Sequence, residues 1–183
     1  ALLRHVMALC RTHTVYPLCG NCDGLVYRFF QGDELDRRFF SFYLPQHPES
    51  TLRQLAREGG FDQTEDLPRL RADLRSAYPE EWRFLSRMPT ILETEHLVFV
   101  HGGVPSLEHM DRWRCMKNDD FLGQGHAFDK WVIVGHWPVT LYRPDIQSAA
   151  PILLPGRRIA SIDGGCVLKK DGQLNALILP EEG

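Results

Sequence analysis

Between Ala1 and Arg11 the apolar residues Leu2, Leu3, Val6, Met7, Leu9 and Cys10 recur at helical spacing among good helix formers, which predicts an amphipathic helix. No Ser, Thr, Asp or Asn cap and no Pro precedes the first apolar residue. The helix begins without a start signal, and the expectation is that residues upstream of Ala1 are missing from this chain. Thr14 to Leu18 is β-branched and aromatic and predicts a short buried strand, ended by the turn-forming pair Gly20-Asn21. From about residue 25 to residue 88 the pattern is helical, broken at Pro45, Pro48, Gly59-Gly60 and Pro79. The clearest helices there are Ser50 to Arg57, with Ser50 as cap, and Leu67 to Ala77. Strand character returns at Thr90 to Leu92, in Leu97-Val98-Phe99-Val100 and in Trp131-Val132-Ile133-Val134. The last two runs end abruptly at His101-Gly102-Gly103 and at Gly135-His136. The tail alternates at Ile159, Ser161 and Asp163 and again at Leu174, Ala176 and Ile178, with Asp171-Gly172 between, which predicts a hairpin.

Composition changes this picture little. With 183 residues, 43% of them hydrophobic and 25% charged, the chain suits a single domain spanning residues 1–183, with a helical insertion at about 25–88. Helices and buried strands together predict an α/β (α+β) fold. A net charge of −3 provides no general attraction for nucleic acid or an anionic membrane, so neither is expected as a partner. An anionic substrate would need a local site. No apolar run is long enough to span a bilayer, and a cytoplasmic location is the default expectation. The five cysteines follow no regular spacing and are read as reduced thiols.

In α/β sheets, ligands collect beyond the carboxyl ends of the strands. Three predicted strand ends carry polar residues in glycine-flanked turns: Cys19-Gly20-Asn21-Cys22-Asp23, His101-Gly102-Gly103 and Gly135-His136-Trp137-Pro138. Glycine lets a backbone turn sharply and approach an ion closely. Imidazoles and an amide oxygen suit Mn, Fe or Zn. A half-buried His bonded to backbone is the alternative at each position, and the pattern alone leaves both readings open.

The same segments resemble the calcineurin-like metallophosphoesterases, and within them the bacterial relatives of the Ser/Thr protein phosphatases. Val15 to Asp23 is similar to that family's strand followed by Gly-Asn-His-Asp/Glu, Phe99 to Val104 to its Val-His-Gly-Gly segment, and Val134 to Val139 to its Gly-His-Thr-Pro segment. Ser161 to Cys166 followed by Gly172 to Leu177 resembles its closing hairpin. The resemblance implies a two-sheet β-sandwich flanked by helices and a site of two divalent transition metal ions (Mn, Fe or Zn) bridged by a carboxylate and a hydroxide. It implies Asn21, His101 and His136 as ligands of the second metal, and hydrolysis of a phosphate ester, a phosphoprotein or a small phosphodiester, by in-line attack.

Two departures shape the expectation. The family's leaving-group His, next after the metal-binding Asn, is here Cys22, a weaker general acid near neutral pH. The Gly-Asn-Cys-Asp turn also resembles that of small bacterial and archaeal phosphodiesterases, so Cys22 keeps the catalytic position. Cys19 stands where the protein phosphatases have a phosphate-binding Arg, with Lys117 or Arg143 as basic substitutes. The family's Asp-x-His and Gly-Asp-x-x-Asp-Arg-Gly motifs belong ahead of the Gly-Asn turn, and no Asp or Glu precedes it here. The mimic Gly32 to Arg38 lies after the turn and is read as a charged helix face. This chain alone is therefore expected to bind at most one metal ion and to be inactive by itself. The alternative is a non-catalytic phosphoesterase-fold module that binds a protein through its helical segment. Cys19-x-x-Cys22 as a redox pair or zinc half-site is a lesser reading.

Overall fold

A computed structural model describes residues 2–32, 34–61, 65–145, 148–167 and 170–179. The chain divides into two compact units, Ala1–Met88 and Pro89–Gly183.

The first unit is helical among its described residues: α1 (Leu2–Thr12), α2 (Asn21–Gln31), α3 (Glu34–Gln46), α4 (Thr51–Gly59), α5 (Leu67–Ala77) and α6 (Pro79–Arg87). The expected helices at Ser50 to Arg57 and Leu67 to Ala77 are α4 and α5. Ser50 caps α4 by accepting from Arg53 N–H, and Gly60 closes it in the left-handed conformation at φ 72°. Asp66 caps α5 in the same way through Arg69 N–H. Helix α2 is the hub, packing on α3, α4, α5 and α6. Its Leu25, Val26, Phe29 and Phe30 are buried, and Phe29 meets Phe40 of α3 edge to face at 4.9 Å. Leu52, Leu70, Leu74 and Leu85 complete this core. Asp36, expected on a charged helix face, is instead buried at 6% exposure and ion-paired with Arg28. Asp33 of the same mimic motif lies outside the described residues.

Thr14 to Leu18 departs from its expected strand. It forms no strand, Tyr16 is largely exposed, and Gly20-Asn21 opens α2 instead of closing a strand. A strand needs a ladder partner, and among the described residues none lies beside this segment; Pro17 also lacks an N–H to donate.

The second unit holds a mixed five-stranded sheet in the order β1-β2-β3-β5-β4, built from β1 (Ile91–Glu93), β2 (Leu97–Val100), β3 (Trp131–Val134), β4 (Ile152–Leu154) and β5 (Ile159–Ser161). Strands β2, β3 and β5 are parallel, and β1 and β4 are antiparallel edges. Short helices α7 (Arg112–Met116), α8 (Phe121–Gln124) and α9 (Val139–Tyr142) fill the connections. Val98, Val100, Val132, Val134 and Ile159 pack with Val104, Phe121, Val139 and Ile152 in one core. The chain is thus a mixed α and β protein, as its pattern predicts. Among the described residues no helix is long and apolar enough to cross a membrane.

The tail hairpin is a second departure. Strand β5 pairs with the preceding β4 through a 3₁₀ turn at Pro155–Arg157, whereas Leu174 to Leu179 form no strand. The alternation there buries nothing: Leu174 and Ile178 are 88% and 94% exposed. A single bridge, Gly165 to Gln173, and the Asn175 side chain, which donates to Ala149 O and Ile162 O, hold this segment.

Truncating Phe29 to Ala removes a fully buried ring from the hub helix and is expected to destabilise the helical unit by about 3–5 kcal/mol. Ser50→Ala should lose about 1 kcal/mol through the α4 cap. Denaturant unfolding followed by helical circular dichroism measures both.

Candidate functional site

Strands β2, β3 and β5 pair in a register that sets Val100 opposite Val134 and Val134 opposite Ser161, so their carboxyl ends are level. The residues that follow are delivered to one edge of the sheet: His101 directly after β2, Gly135-His136 after β3, and Ile162-Asp163 after β5. Backbone bonds carry the alignment past the strands. Gly135 N–H donates to His101 O at 2.9 Å, Ile162 N–H to Val134 O at 2.9 Å, and Val139 N–H to Asp163 O at 2.8 Å. The His101 and His136 rings consequently meet at 5.3 Å between centroids, 62° apart.

Of the flanking glycines, Gly103 takes the expected role, at φ 134° in backbone that favours glycine, whereas Gly135 and Gly102 act differently. Gly135 has ordinary room for a side chain, its nearest prospective neighbour being His101 O at 3.7 Å. The sharp turn falls on His136 itself, at φ 64°. A non-glycine residue in that region carries roughly 1–2 kcal/mol of strain. Gly102, in contrast, is needed for space. A Cβ there would lie 2.7 Å from Lys117 N, 2.8 Å from Asn118 N and 2.9 Å from Arg114 O, and Gly102 N–H donates to Cys115 O at 2.6 Å. The missing side chain lets the end of α7 and the loop after it lie directly on the His101 turn.

That loop brings in residues the pattern did not single out. Asp119 Oδ1 lies 2.8 Å from His136 Nε2, and Lys117 Nζ donates to both Asp119 oxygens at 2.8 and 2.9 Å. Lys117 first, then His136, hold the Asp119 carboxyl below the usual carboxylate range. Asn118 is buried and pins the loop, accepting from Asp120 N–H and donating to Gln124 Oε1. Asp163 turns its carboxylate onto Gly165 N–H at 2.8 Å. The charged run Lys117 to Asp120 is visible in the sequence, yet no spacing rule says which of its acids reaches the strand ends. Lys117, considered as a phosphate-binding group, is engaged with Asp119.

Burial, with the neighbouring His136 second and Asp163 opposing, lowers the His101 pKa to about 4. His101 is therefore a neutral imidazole at neutral pH. Two such rings with Asp119 and Asp163 close by are donor types that Mn, Fe or Zn accept, and they fit part of such an ion's ligand shell. Among the described residues, no three His, Cys, Asp or Glu side chains converge into a ready-made cation site.

Asn21 and Cys22 occupy the first turn of α2 in the helical unit. Gly20 is the N-cap in ordinary extended backbone, φ −89°, and its N–H donates to Asp23 Oδ2 at 3.0 Å. A helix N-terminus favours a thiolate. At Cys22 the opposite effects win: the side chain keeps an exposed surface, but desolvation of the sulfur and then the Asp23 charge raise its pKa. The thiol keeps its proton at neutral pH. Its partner in the Cys-x-x-Cys spacing, Cys19, is buried, and neither forms a disulfide bond. Comparisons with family models, with curated proteins and with solved structures give no match. His126 is half-buried and lies 4.3 Å from the Phe128 ring between centroids.

Gly102→Ala is expected to destabilise the second unit by about 1–3 kcal/mol, because the added carbon overpacks against backbone. Gly135→Ala should stay within about 0.5 kcal/mol. In chelator-treated protein, His101 should titrate by NMR near pH 4. An unfolded His takes its proton near pH 6.5, before the folded one does, so this group subtracts no stability above about pH 6.5 and progressively more as pH falls from there toward 4. Unfolding measured across that window checks the sign.

Proposed function

We propose that this chain carries part of the active centre of a metal-dependent phosphoric ester hydrolase of the calcineurin-like metallophosphoesterase type, with His101 and His136 as ligands of one divalent transition metal ion. The supporting observation is the meeting of these two rings at the level carboxyl ends of adjacent parallel strands. Each of the two segments also resembles a motif of that family. On this reading the five-stranded sheet is one of the two sheets of the family's sandwich. Asn21 as a further ligand rests on the resemblance alone.

Bound metal supplies a water of lowered pKa and neutralises charge on the phosphoryl oxygens. The chain's own residues set the rest. His101 needs to lose no proton before it could ligate, since burial keeps it neutral. Cys22, its pKa raised, is a poor proton donor to a leaving group. Esters whose leaving group departs without protonation, such as aryl phosphodiesters, are therefore the favoured substrates over alkyl phosphomonoesters.

The test measures metal content and hydrolysis of an aryl phosphodiester by the protein, with manganese supplied. Manganese-dependent turnover, lost by at least a hundredfold in His101→Ala or His136→Ala, is the expected result. Metal-independent turnover sinks the metal-dependent reading, and no turnover sinks the hydrolase reading and favours the non-catalytic interaction module. Cys22→His should raise turnover of alkyl phosphomonoesters more than that of aryl phosphodiesters. Equal effects on both would remove Cys22 from the proton-donor role.

A further inference from the structure

We propose that Asp119 is the positioning residue of His136: its carboxylate accepts the Nε2 proton, fixes the neutral ring in that tautomer and leaves Nδ1 as the nitrogen with a free lone pair. The inference rests on His136 being a metal ligand and names the group that prepares it for that task.

Three constraints converge on the ring. The backbone of His136 sits in the left-handed region at φ 64°, which fixes where the side chain leaves the turn. The side chain is only 10% exposed and has the His101 ring as a neighbour at 5.3 Å. Its Nε2 faces Asp119 Oδ1 at 2.8 Å. A carboxylate can only accept, so Nε2 carries a proton, and in the neutral form of the ring that leaves Nδ1 bare. Asp119 is itself held: Lys117 Nζ binds both of its oxygens, at 2.8 and 2.9 Å. The loop bearing Lys117 and Asp119 is placed by the close approach at Gly102 and by buried Asn118.

An exposed ion pair by itself would stabilise little. Asp119 is half exposed, so its pairing with Lys117 has little worth as a stabilising bond, while the choice of tautomer on a buried ring is a discrete effect that the carboxylate alone makes. Carboxylate partners of ligating histidines act in this way in general, and removing one typically loses about ten- to a hundredfold in metal affinity.

The experiment reads the tautomer directly from imidazole ¹⁵N shifts in chelator-treated protein, and manganese or zinc affinity by titration of the same samples. Wild-type His136 should be protonated at Nε2. Asp119→Ala should mix the two tautomers and weaken metal binding about ten- to a hundredfold. Asp119→Asn keeps an acceptor oxygen and should restore the tautomer and most of the affinity, with circular dichroism unchanged. Lys117→Ala leaves the carboxylate in place and should move both readouts less than Asp119→Ala does. A wild-type ring protonated at Nδ1, or a tautomer indifferent to Asp119→Ala, overturns the proposal. A tautomer that follows Asp119 while metal affinity ignores Asp119→Ala and His101→Ala alike overturns the metal reading beneath it.

Discussion

The backbone ladder that aligns β2, β3 and β5 is the constraint on which the candidate site depends. Parallel strands in register end at the same height, so whatever residue follows each strand is delivered to a common edge without any side chain having to reach for it. Val100, Val134 and Ser161 mark that edge, and His101, His136 and Asp163 stand just beyond it. The ladder is buried between core side chains such as Val98, Val132 and Ile159, which keeps water from competing for its hydrogen bonds. A one-residue slip of β2 against β3 would turn the residue that follows the slipped strand to the other face and part the two imidazoles.

Proximity alone does not prepare two histidines for a cation. Burial keeps His101 neutral against the opposing pull of Asp163. At His136 the backbone accepts a left-handed conformation that costs energy and is retained by the bonds around it, from Trp137 N–H to Gly135 O and from His136 to Asp119. Gly102 links the two histidines to the loop, because only a residue without Cβ lets the Lys117-Asn118 backbone lie on the His101 turn. Gly102 thus matters here for packing clearance and Gly103 for its positive φ of 134°, while after β3 the strained turn is made by His136 itself.

The helical unit follows a simpler logic. Its hub, α2, buries Leu25, Val26, Phe29 and Phe30, and its first turn carries Asn21 and Cys22. The first turn of a well-packed helix is a firm mounting, and Asp23 ties it further by accepting from Gly20 N–H. At Cys22 two effects oppose each other: the helix terminus would favour a thiolate, whereas desolvation and the Asp23 charge favour the thiol. The second pair prevails, so this sulfur is a poor acid near neutral pH.

Periodicity by itself determined the helices Leu2–Thr12, Thr51–Gly59 and Leu67–Ala77, the helical character of residues 25–88 and the strands Leu97–Val100 and Trp131–Val134, because burying one face of a helix or both faces of a parallel strand writes a local, repeating demand into the chain. The same locality made the ends of those strands stand out, so His101 and His136 were legible as candidates. What lacked a local signature was decided by tertiary structure. Thr14 to Leu18 has strand-like residues but no ladder partner among the described residues, and strand formation is a property of pairs. Ile159 to Ser161 chose Ile152–Leu154 as its antiparallel partner over the alternating tail, since the upstream segment brings Ile152 into the core and the tail leaves Ile178 in solvent. Asp119 belongs to the site only because a loop lies against Gly102, far from it in sequence. Local pattern determines elements because their hydrogen bonds and buried faces repeat within a few residues; partner strands, close backbone approaches and charge pairs depend on which distant segments come to occupy the same space.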